Sequence, residues 1–270
     1  GFVELNLESH PEYGRIFDDQ FGKPSLLIRQ LAALSNETIV PGKTLLFIDE
    51  VQECPAALKA LRYFHEKLPT LHVIAAGSLV EFALRDLSFP VGRIESLHLV
   101  PMSFAEFLLA LGKEQLLAEA IAKSGLVAPA LHDALLQLAF EYSLVGGMPE
   151  AVKTYADAHD LNDVQDVQQI LVTSFRADFA KYATRSQLPH LQLVWDGAPR
   201  LLGAKFKYSQ VSHDVRSREL SRAVELLEEA GLCSRAFHSS GNGLPLSAEI
   251  DSDKFKLFFL DVGLVNRVLG

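Results

Sequence analysis

A strand that runs directly into two acidic residues constrains this chain more than any other feature. Leu45–Ile48 is wholly apolar and is followed by Asp49 and Glu50. Pro55 then opens a segment with helical apolar spacing, and a second apolar run follows at 71–76. Strand, helix and strand in so short a stretch are typical of a βαβ unit with parallel strands. The sequence therefore predicts an α/β fold with both acids at the carboxyl end of a parallel strand, where open sheets bind ligands.

Two adjacent carboxylates in that position suit the hydrolysis of a nucleoside triphosphate. The first acid can hold Mg²⁺, and the second can orient and deprotonate the attacking water. Asp49 is then the metal residue and Glu50 the base, while Ser78 ends the neighbouring strand with a hydroxyl near the γ-phosphate. Arg93, which follows a glycine, can reach a phosphate bound by a neighbouring subunit. Simpler explanations stay open. Asp49 can cap the helix that follows it, and Ser78 can cap a helix that begins near Leu79. Arg93 can be an ordinary surface arginine.

No segment of the chain matches G-x-x-x-x-G-K-[ST], the loop whose backbone N–H groups cradle phosphates. The segment 42–44 supplies only the final G-K-T, because Glu37 stands where the first glycine is required and a strand rather than a helix follows. A phosphate there would meet no helix N-terminus. We therefore expect the chain to begin inside a nucleotide-binding domain, after its first strand and phosphate loop, and to bind ATP weakly by itself.

Beyond the sheet, the sequence predicts a region of helices. Ser103 and Glu106 form a capping box, in which each side chain can bond the other residue's backbone N–H. Alanine- and leucine-rich helical periodicity then continues to about Thr184. The pair Gly146-Gly147 interrupts it, and Pro149 is placed for the first turn of the next helix.

From residue 199 onward, the order of elements is that of a winged helix. Short helices are expected near 199–202 and 210–215, a longer one from Ser217, and two wing strands at 233–237 and 255–260. The long helix starts with basic residues, which suit DNA contact, but glutamates follow them and are typical of a solvated face. The basic residues are Arg216, Arg218 and Arg222. Winged helices also dock on proteins, so both kinds of partner stay open.

Composition excludes several classes of protein. The net charge of −9 argues against wrapping nucleic acid over the whole surface, and only residues 199–270, nearly balanced in charge, are a candidate for DNA contact. The longest apolar runs are far shorter than a membrane span. The nine histidines lack ligand spacing and the two cysteines lie far apart, so we predict no structural metal, no disulfide framework and a reducing cytoplasm.

Several segments, in a fixed order, carry a family resemblance: LLFIDEVQECP, VIAAGS, VGRIESLHLVPMSFAEFL, GGMPEAV, LLEEAGL and FKLFFLDVGL. Over nearly its whole length the chain resembles the prokaryotic AAA-superfamily P-loop ATPases that carry a C-terminal domain of unknown function 4143. The resemblance implies ATP and Mg²⁺ as cofactors, Asp49 and Glu50 as the Walker B pair, Ser78 as the sensor-1 residue and Arg93 as the arginine of the glycine-arginine turn.

Two parts of that family pattern are missing from the chain, the Walker A loop and the nuclease-like tail. A nuclease of that type needs an acid two positions before a lysine to help hold Mg²⁺. No lysine of the chain has an acid at that position. We therefore predict no nuclease activity in these residues.

The sequence leads to three expected domains and two hypotheses. Residues 1–115 are expected to form an N-terminally incomplete AAA-type core, a partial P-loop-type parallel sheet with flanking helices. Residues 116–198 are expected to form a helical region, and 199–270 a winged-helix-like domain. The leading hypothesis is a cytoplasmic ATPase segment that binds nucleotide, makes no membrane contact and couples hydrolysis to the winged-helix-like domain, in a homo-oligomer if Arg93 acts between subunits. The alternative is a non-catalytic regulator that binds DNA or docks on a protein.

Overall fold

The structure, a computed structural model, describes residues 1–78, 92–122 and 128–270. These residues form two compact units, Gly1–His98 and Leu99–Gly270. The helix expected to begin near Leu79 lies outside the described residues. Among the described helices, none is both long and apolar enough to cross a bilayer.

The first unit is built on a three-stranded parallel sheet. Its elements are β1 (Phe2–Asn6), α1 (Pro11–Gln20), α2 (Pro24–Ser35), β2 (Leu45–Asp49), a 3-10 turn (Val51–Glu53), α3 (Pro55–Lys67) and β3 (His72–Ala75). Strand β2 lies in the middle and pairs in parallel with β1 and β3. All three helices start with proline, whose fixed φ suits a first helical turn. The predicted α/β class and the parallel β2–α3–β3 unit are confirmed.

The two faces of this sheet differ in burial. Side chains alternate between the faces along each strand, and on one face Leu5 and Ile48 are fully buried in the core that the helices cover. On the opposite face, Phe2 is 59% exposed and Ile74 is 50% exposed, with Phe47 between them only half-buried. We call the surface formed by Phe2, Phe47 and Ile74 the open face. Parallel sheets are ordinarily covered on both sides, so the described residues leave this one partly uncovered.

The second unit consists of helices, a hairpin and a final helix. The helices are α4 (Phe104–Ala110), α5 (Glu114–Ile121), α6 (Pro129–Val145), α7 (Pro149–Ala158), α8 (Leu161–Tyr182), α9 (Leu188–Gly197), α10 (Tyr208–Val211), α11 (Ser217–Glu229) and α12 (Val262–Leu269). Antiparallel strands β4 (Cys233–Ser239) and β5 (Ile250–Phe259) form the hairpin, and 3-10 turns occupy Ala198–Leu201 and Leu246–Glu249. The predicted capping box at the start of α4 is confirmed, with both of its reciprocal hydrogen bonds present. The predicted break before Pro149 is also present, between α6 and α7.

From residue 199 onward, a 3-10 turn stands where the first short helix was expected, and α10, α11, β4 and β5 then come in the predicted order. The apolar stripe of α11 is buried through Leu220, Val224 and Leu227. Ahead of α10, the Phe206 N–H donates to the Phe255 carbonyl oxygen at 2.9 Å, and the two rings stack with centroids 5.3 Å apart. The strands are longer than expected, and α12 follows them where the sequence pattern indicated no helix. Both cysteines of the chain are free and buried.

A buried aspartate joins three distant segments of the second unit. Asp261 is 5% exposed. Its Oδ2 accepts the Gly147 N–H at 2.6 Å, and its Oδ1 accepts the Leu264 N–H at 3.0 Å, so it also caps α12. The Met102 N–H in turn donates to the Gly147 carbonyl oxygen at 2.6 Å. Gly146 has φ +76°, a conformation that favours glycine. We call Met102, Gly146, Gly147 and Asp261 the glycine junction.

Candidate functional site

The carboxyl ends of the three parallel strands meet at one edge of the sheet, and both acids lie there. Asp49 ends β2, and its Cα pairs with that of Asn6, which ends β1. The Val51 N–H donates to the Ala76 carbonyl oxygen at 2.9 Å, so the turn after β2 is tied to the end of β3. Asp49 and Glu50 are both half-buried. The edge thus presents two partly accessible carboxylates side by side, in the place predicted for them.

Each carboxylate oxygen of Asp49 accepts one hydrogen bond. Oδ2 accepts from Asn6 Nδ2 at 3.0 Å, and Oδ1 accepts from the Glu50 backbone N–H at 3.0 Å. An ionised carboxylate has about four lone-pair sites, so each oxygen keeps capacity for a cation or a water. Helix α3 begins after Cys54 and has no side-chain cap. Asp49 therefore does not serve as the cap of that helix, which was the simpler explanation for it.

Glu50 is held in an unusual backbone conformation. Its φ of 51° and ψ of 45° place it in the left-handed region, which costs a non-glycine residue about 1–2 kcal/mol. Gln52 Nε2 donates to its Oε2 at 2.5 Å. Non-glycine residues held in this region cluster at functional sites. The turn after β2 thus fixes both the backbone and the carboxylate of Glu50.

We expect Glu50→Gly to stabilise the protein, by up to about 1 kcal/mol after the greater flexibility of glycine in the unfolded chain is counted. Glycine enters the left-handed region without a steric penalty. The measurement is the free energy of unfolding in urea. Glu53→Gly is the matched control, because Glu53 lies in the right-handed 3-10 turn of the same loop and glycine there should destabilise by about 0.5–1 kcal/mol. Equal losses in both variants would contradict the strain at Glu50.

The other two predicted site residues lie in different places. Ser78 is exposed and follows Ala76 by two residues, so it lies at the same edge of the sheet as the acids. Arg93 Nε lies 3.0 Å from Glu66 Oε1, in the last turn of α3. Arg62 and, to a smaller extent, Arg93 hold the pKa of Glu66 below its usual value. Because α3 starts near the acids and rises about 1.5 Å per residue, the structure does not bring Arg93 to the acids of its own chain.

The G-K-T segment lies at the opposite end of β2 from Asp49. Thr44 Oγ1 accepts the Val40 N–H at 3.0 Å, and β2 starts immediately afterwards. Thr44 is buried, whereas Lys43 is exposed. The prediction that a strand follows this segment is confirmed, so it lacks the helix N-terminus that a phosphate loop requires.

The oxygen ligands at Asp49 suit a magnesium ion that is bound together with a substrate. Among the described residues, they do not form a metal site made of protein side chains alone. In the part of the chain that the structure describes, no group of three or more His, Cys, Asp or Glu side chains is arranged to hold a metal ion. Magnesium is usually bound by one or two carboxylates together with the phosphates of a substrate and waters. Asp49, with an accepting lone pair left on each oxygen, suits that kind of coordination.

Two residues that contact the acids were not predicted from the sequence. Asn6 contacts Asp49, and Gln52 contacts Glu50. For Asn6, a polar residue at the end of an alternating strand was a usable signal, but the register that pairs it with Asp49 is not visible in the sequence. For Gln52, its position two residues after Glu50 was the signal.

Comparisons with known proteins agree with this organisation. A family model described as "AAA domain" matches residues 2–108, which supports an AAA-type domain around the sheet. A second model, "Domain of unknown function (DUF8612)", matches residues 136–270, half of the chain. It differs from the domain 4143 that the resemblance named. No curated protein and no solved structure matched the chain.

Proposed function

Because the chain belongs to the family of the domain of unknown function DUF8612 and carries an AAA-type domain before that match, we propose that it is the catalytic and output part of an AAA-type ATPase. Its first unit binds the magnesium and activates the water of ATP hydrolysis. Its second unit contains the domain to which hydrolysis is coupled. The observation that supports this best is the pair Asp49 and Glu50 at the carboxyl end of the middle strand of a parallel sheet. Ligands bind at such strand ends in open α/β sheets.

Each acid has a distinct role in this proposal. Magnesium bound to ATP neutralises phosphate charge and orients the phosphates. Asp49 holds that ion, directly or through water, with the lone pairs that its two hydrogen bonds leave. Glu50 accepts the proton of the attacking water, and Gln52 holds its carboxylate in place. Ser78, at the same edge, offers a hydroxyl to the γ-phosphate or to that water.

Arg93 acts, in this proposal, on nucleotide bound by a neighbouring subunit. Its ion pair with Glu66 then has to open or be shared when the subunits meet. This role requires that the protein form a homo-oligomer, and we propose that it does. We also propose a cytoplasmic location. A guanidinium supplied from another subunit stabilises charge that develops in the transition state.

The phosphate-binding loop comes from outside these residues, because no Walker A pattern occurs in them. We propose that a longer product of the same gene supplies it. Residues 1–270 alone should therefore bind ATP only weakly, since backbone N–H groups and a lysine of that loop normally provide the grip on the phosphates.

The output part is proposed to be a winged-helix-like domain within residues 199–270, after a helical region. The order α10, α11, β4 and β5 supports this assignment. Protein docking fits better than DNA reading, because Arg222, near the middle of α11, is paired with Glu225 at 2.9 Å. We propose domain 4143, which the resemblance implied, only as an analogue of this part.

The test compares residues 1–270 with the gene product extended upstream, measuring ATP binding and hydrolysis. We expect turnover only in the extended protein. Glu50→Gln in that protein should abolish hydrolysis and keep ATP binding, as removal of a general base does. Glu53→Gln, in the same turn, is the matched control and should retain hydrolysis.

Two results would overturn the proposal: a gene that encodes no Walker A loop upstream of Gly1, or full hydrolysis by the Glu50→Gln protein. Either would favour the alternative, a non-catalytic regulator. DNA binding by that regulator would show as salt-dependent retention on duplex DNA that Arg218→Ala with Arg222→Ala removes.

A further inference from the structure

The side-chain amide of Asn6 has only one orientation that satisfies its neighbours. Its Oδ1 accepts the Ser9 N–H at 2.7 Å and the Glu8 N–H at 3.1 Å. A carbonyl oxygen accepts and an amide nitrogen donates, so the oxygen has to face these two N–H groups. The Nδ2 group consequently points at Asp49 Oδ2, 3.0 Å away. The loop after β1 therefore fixes Asn6 as a donor toward the acid.

This donor completes the restraint on Asp49. Its other oxygen already accepts the Glu50 N–H at 3.0 Å. Rotation of the carboxylate about its last side-chain bond would break both bonds together. Carboxylates held in this way by neighbouring groups bind metals more tightly, because their orientation is fixed before the ion arrives.

We infer that Asn6 is a positioning residue that orients the Asp49 carboxylate toward the magnesium of bound nucleotide. The inference rests on the proposed function and adds a residue to it that no motif contains. An asparagine suits this position because it joins two roles: its oxygen closes the turn after β1, and its nitrogen donates to Asp49. An aspartate would close the same turn but place a second negative charge beside the first.

The test separates these two roles of Asn6. Asn6→Ser keeps a hydroxyl that can accept from the backbone N–H groups of the turn, yet it is too short to reach Asp49. In the extended protein, the magnesium concentration that half-saturates hydrolysis should rise about 10–100-fold, with a smaller change in kcat. Gln52→Ala, which releases Glu50 instead, is the matched comparison. It should lower kcat and leave the half-saturating magnesium concentration unchanged.

A second readout does not depend on activity. Binding of Mn²⁺ with ATP is measured by electron paramagnetic resonance in the hydrolysis-blocked Glu50→Gln protein, with and without Asn6→Ser. The Mn²⁺ dissociation constant should rise about 10–100-fold with Asn6→Ser, and Asp49→Asn should abolish binding at the site. Thermal unfolding shows whether each variant is folded, and Asn6→Thr, which can close the same turn, replaces Asn6→Ser if the latter does not fold.

The outcomes distinguish the inference from the function on which it rests. If Asp49→Asn weakens Mn²⁺ binding while Asn6→Ser and Asn6→Thr leave it unchanged, Asn6 is only a turn residue and the inference is overturned. If Asp49→Asn itself leaves Mn²⁺ binding unchanged, the proposed function fails instead.

Discussion

Replacing Gly147 by alanine should prevent residues 99–270 from reaching their native fold. A Cβ at this position would lie 2.0 Å from the Met102 carbonyl oxygen and 2.8 Å from the Met102 nitrogen. Both are backbone atoms, so no side-chain rotation can relieve the clash. The same backbone pair is held by the Met102 N–H to Gly147 carbonyl hydrogen bond at 2.6 Å. Accommodating the methyl group would break that bond and the bond to Asp261, at a cost above about 4 kcal/mol, a large part of the stability of a typical domain.

Circular dichroism and urea unfolding measure this effect. Gly243→Ala is the matched control in the same unit, because a Cβ at Gly243 meets no atom within 4 Å and should change stability by less than about 0.5 kcal/mol. If Gly147→Ala has the same free energy of unfolding as the wild type, the glycine junction accommodates a Cβ at this position and the prediction is wrong.

The second large effect is expected for Asp261→Asn, which should destabilise the second unit by about 3 kcal/mol. The change preserves side-chain shape but replaces one accepting oxygen by an NH₂ group. In the wild type, Oδ2 accepts the Gly147 N–H and Oδ1 accepts the Leu264 N–H, so one buried N–H would then face another donor. Stability is measured by urea unfolding across a range of pH.

The pH dependence has a definite sign. Burial raises the pKa of Asp261 above its ordinary value of 3.8, although hydrogen bonds from the Gly147, Leu264 and Gly263 backbone oppose the shift. The native state therefore holds this proton more tightly than the unfolded chain. Its contribution to stability is fully present below that ordinary value and is lost as the pH rises through the folded pKa. The advantage of the wild type over Asp261→Asn should accordingly shrink as the pH rises above about 4.

Asp251→Asn is the control with the opposite expected trend. Asp251 is paired with Lys254 at 2.7 Å, which holds the pKa of Asp251 below its ordinary value. Stability from such a group is present above the unfolded pKa and lost as the pH falls. If the stability difference between the wild type and Asp261→Asn grows as the pH rises, the argument that burial raises the pKa of Asp261 is contradicted.

Local patterns in the sequence were sufficient to predict the core of the first unit. The apolar run before Asp49 and the helical spacing after Pro55 are properties of neighbouring residues, and the structure places them in a parallel sheet as predicted. The contact between Asn6 and Asp49 joins residues 43 positions apart, and it depends on strand register. The left-handed conformation of Glu50 likewise results from the turn that the sheet imposes.

The second unit shows the same limit more strongly. Ser103 and Glu106 are three residues apart, and their capping box was predicted and is present. Asp261 and Gly147 are 114 positions apart, so the reason for Gly147 is not visible locally. Its glycine pattern was interpreted only as a helix break. Asp261 also caps α12. This helix was not predicted, because the apolar residues before it have the pattern of a strand.

The open face of the sheet matters for anyone who handles residues 1–98 alone. Phe2 and Phe47 lie with ring centroids 6.1 Å apart on that face, and Ile74 continues it on the next strand. Exposed apolar surfaces of this kind bind one another, chromatography resins and fluorescent dyes. Such a fragment should stay dispersed only when dilute or when a mild detergent masks the exposed rings.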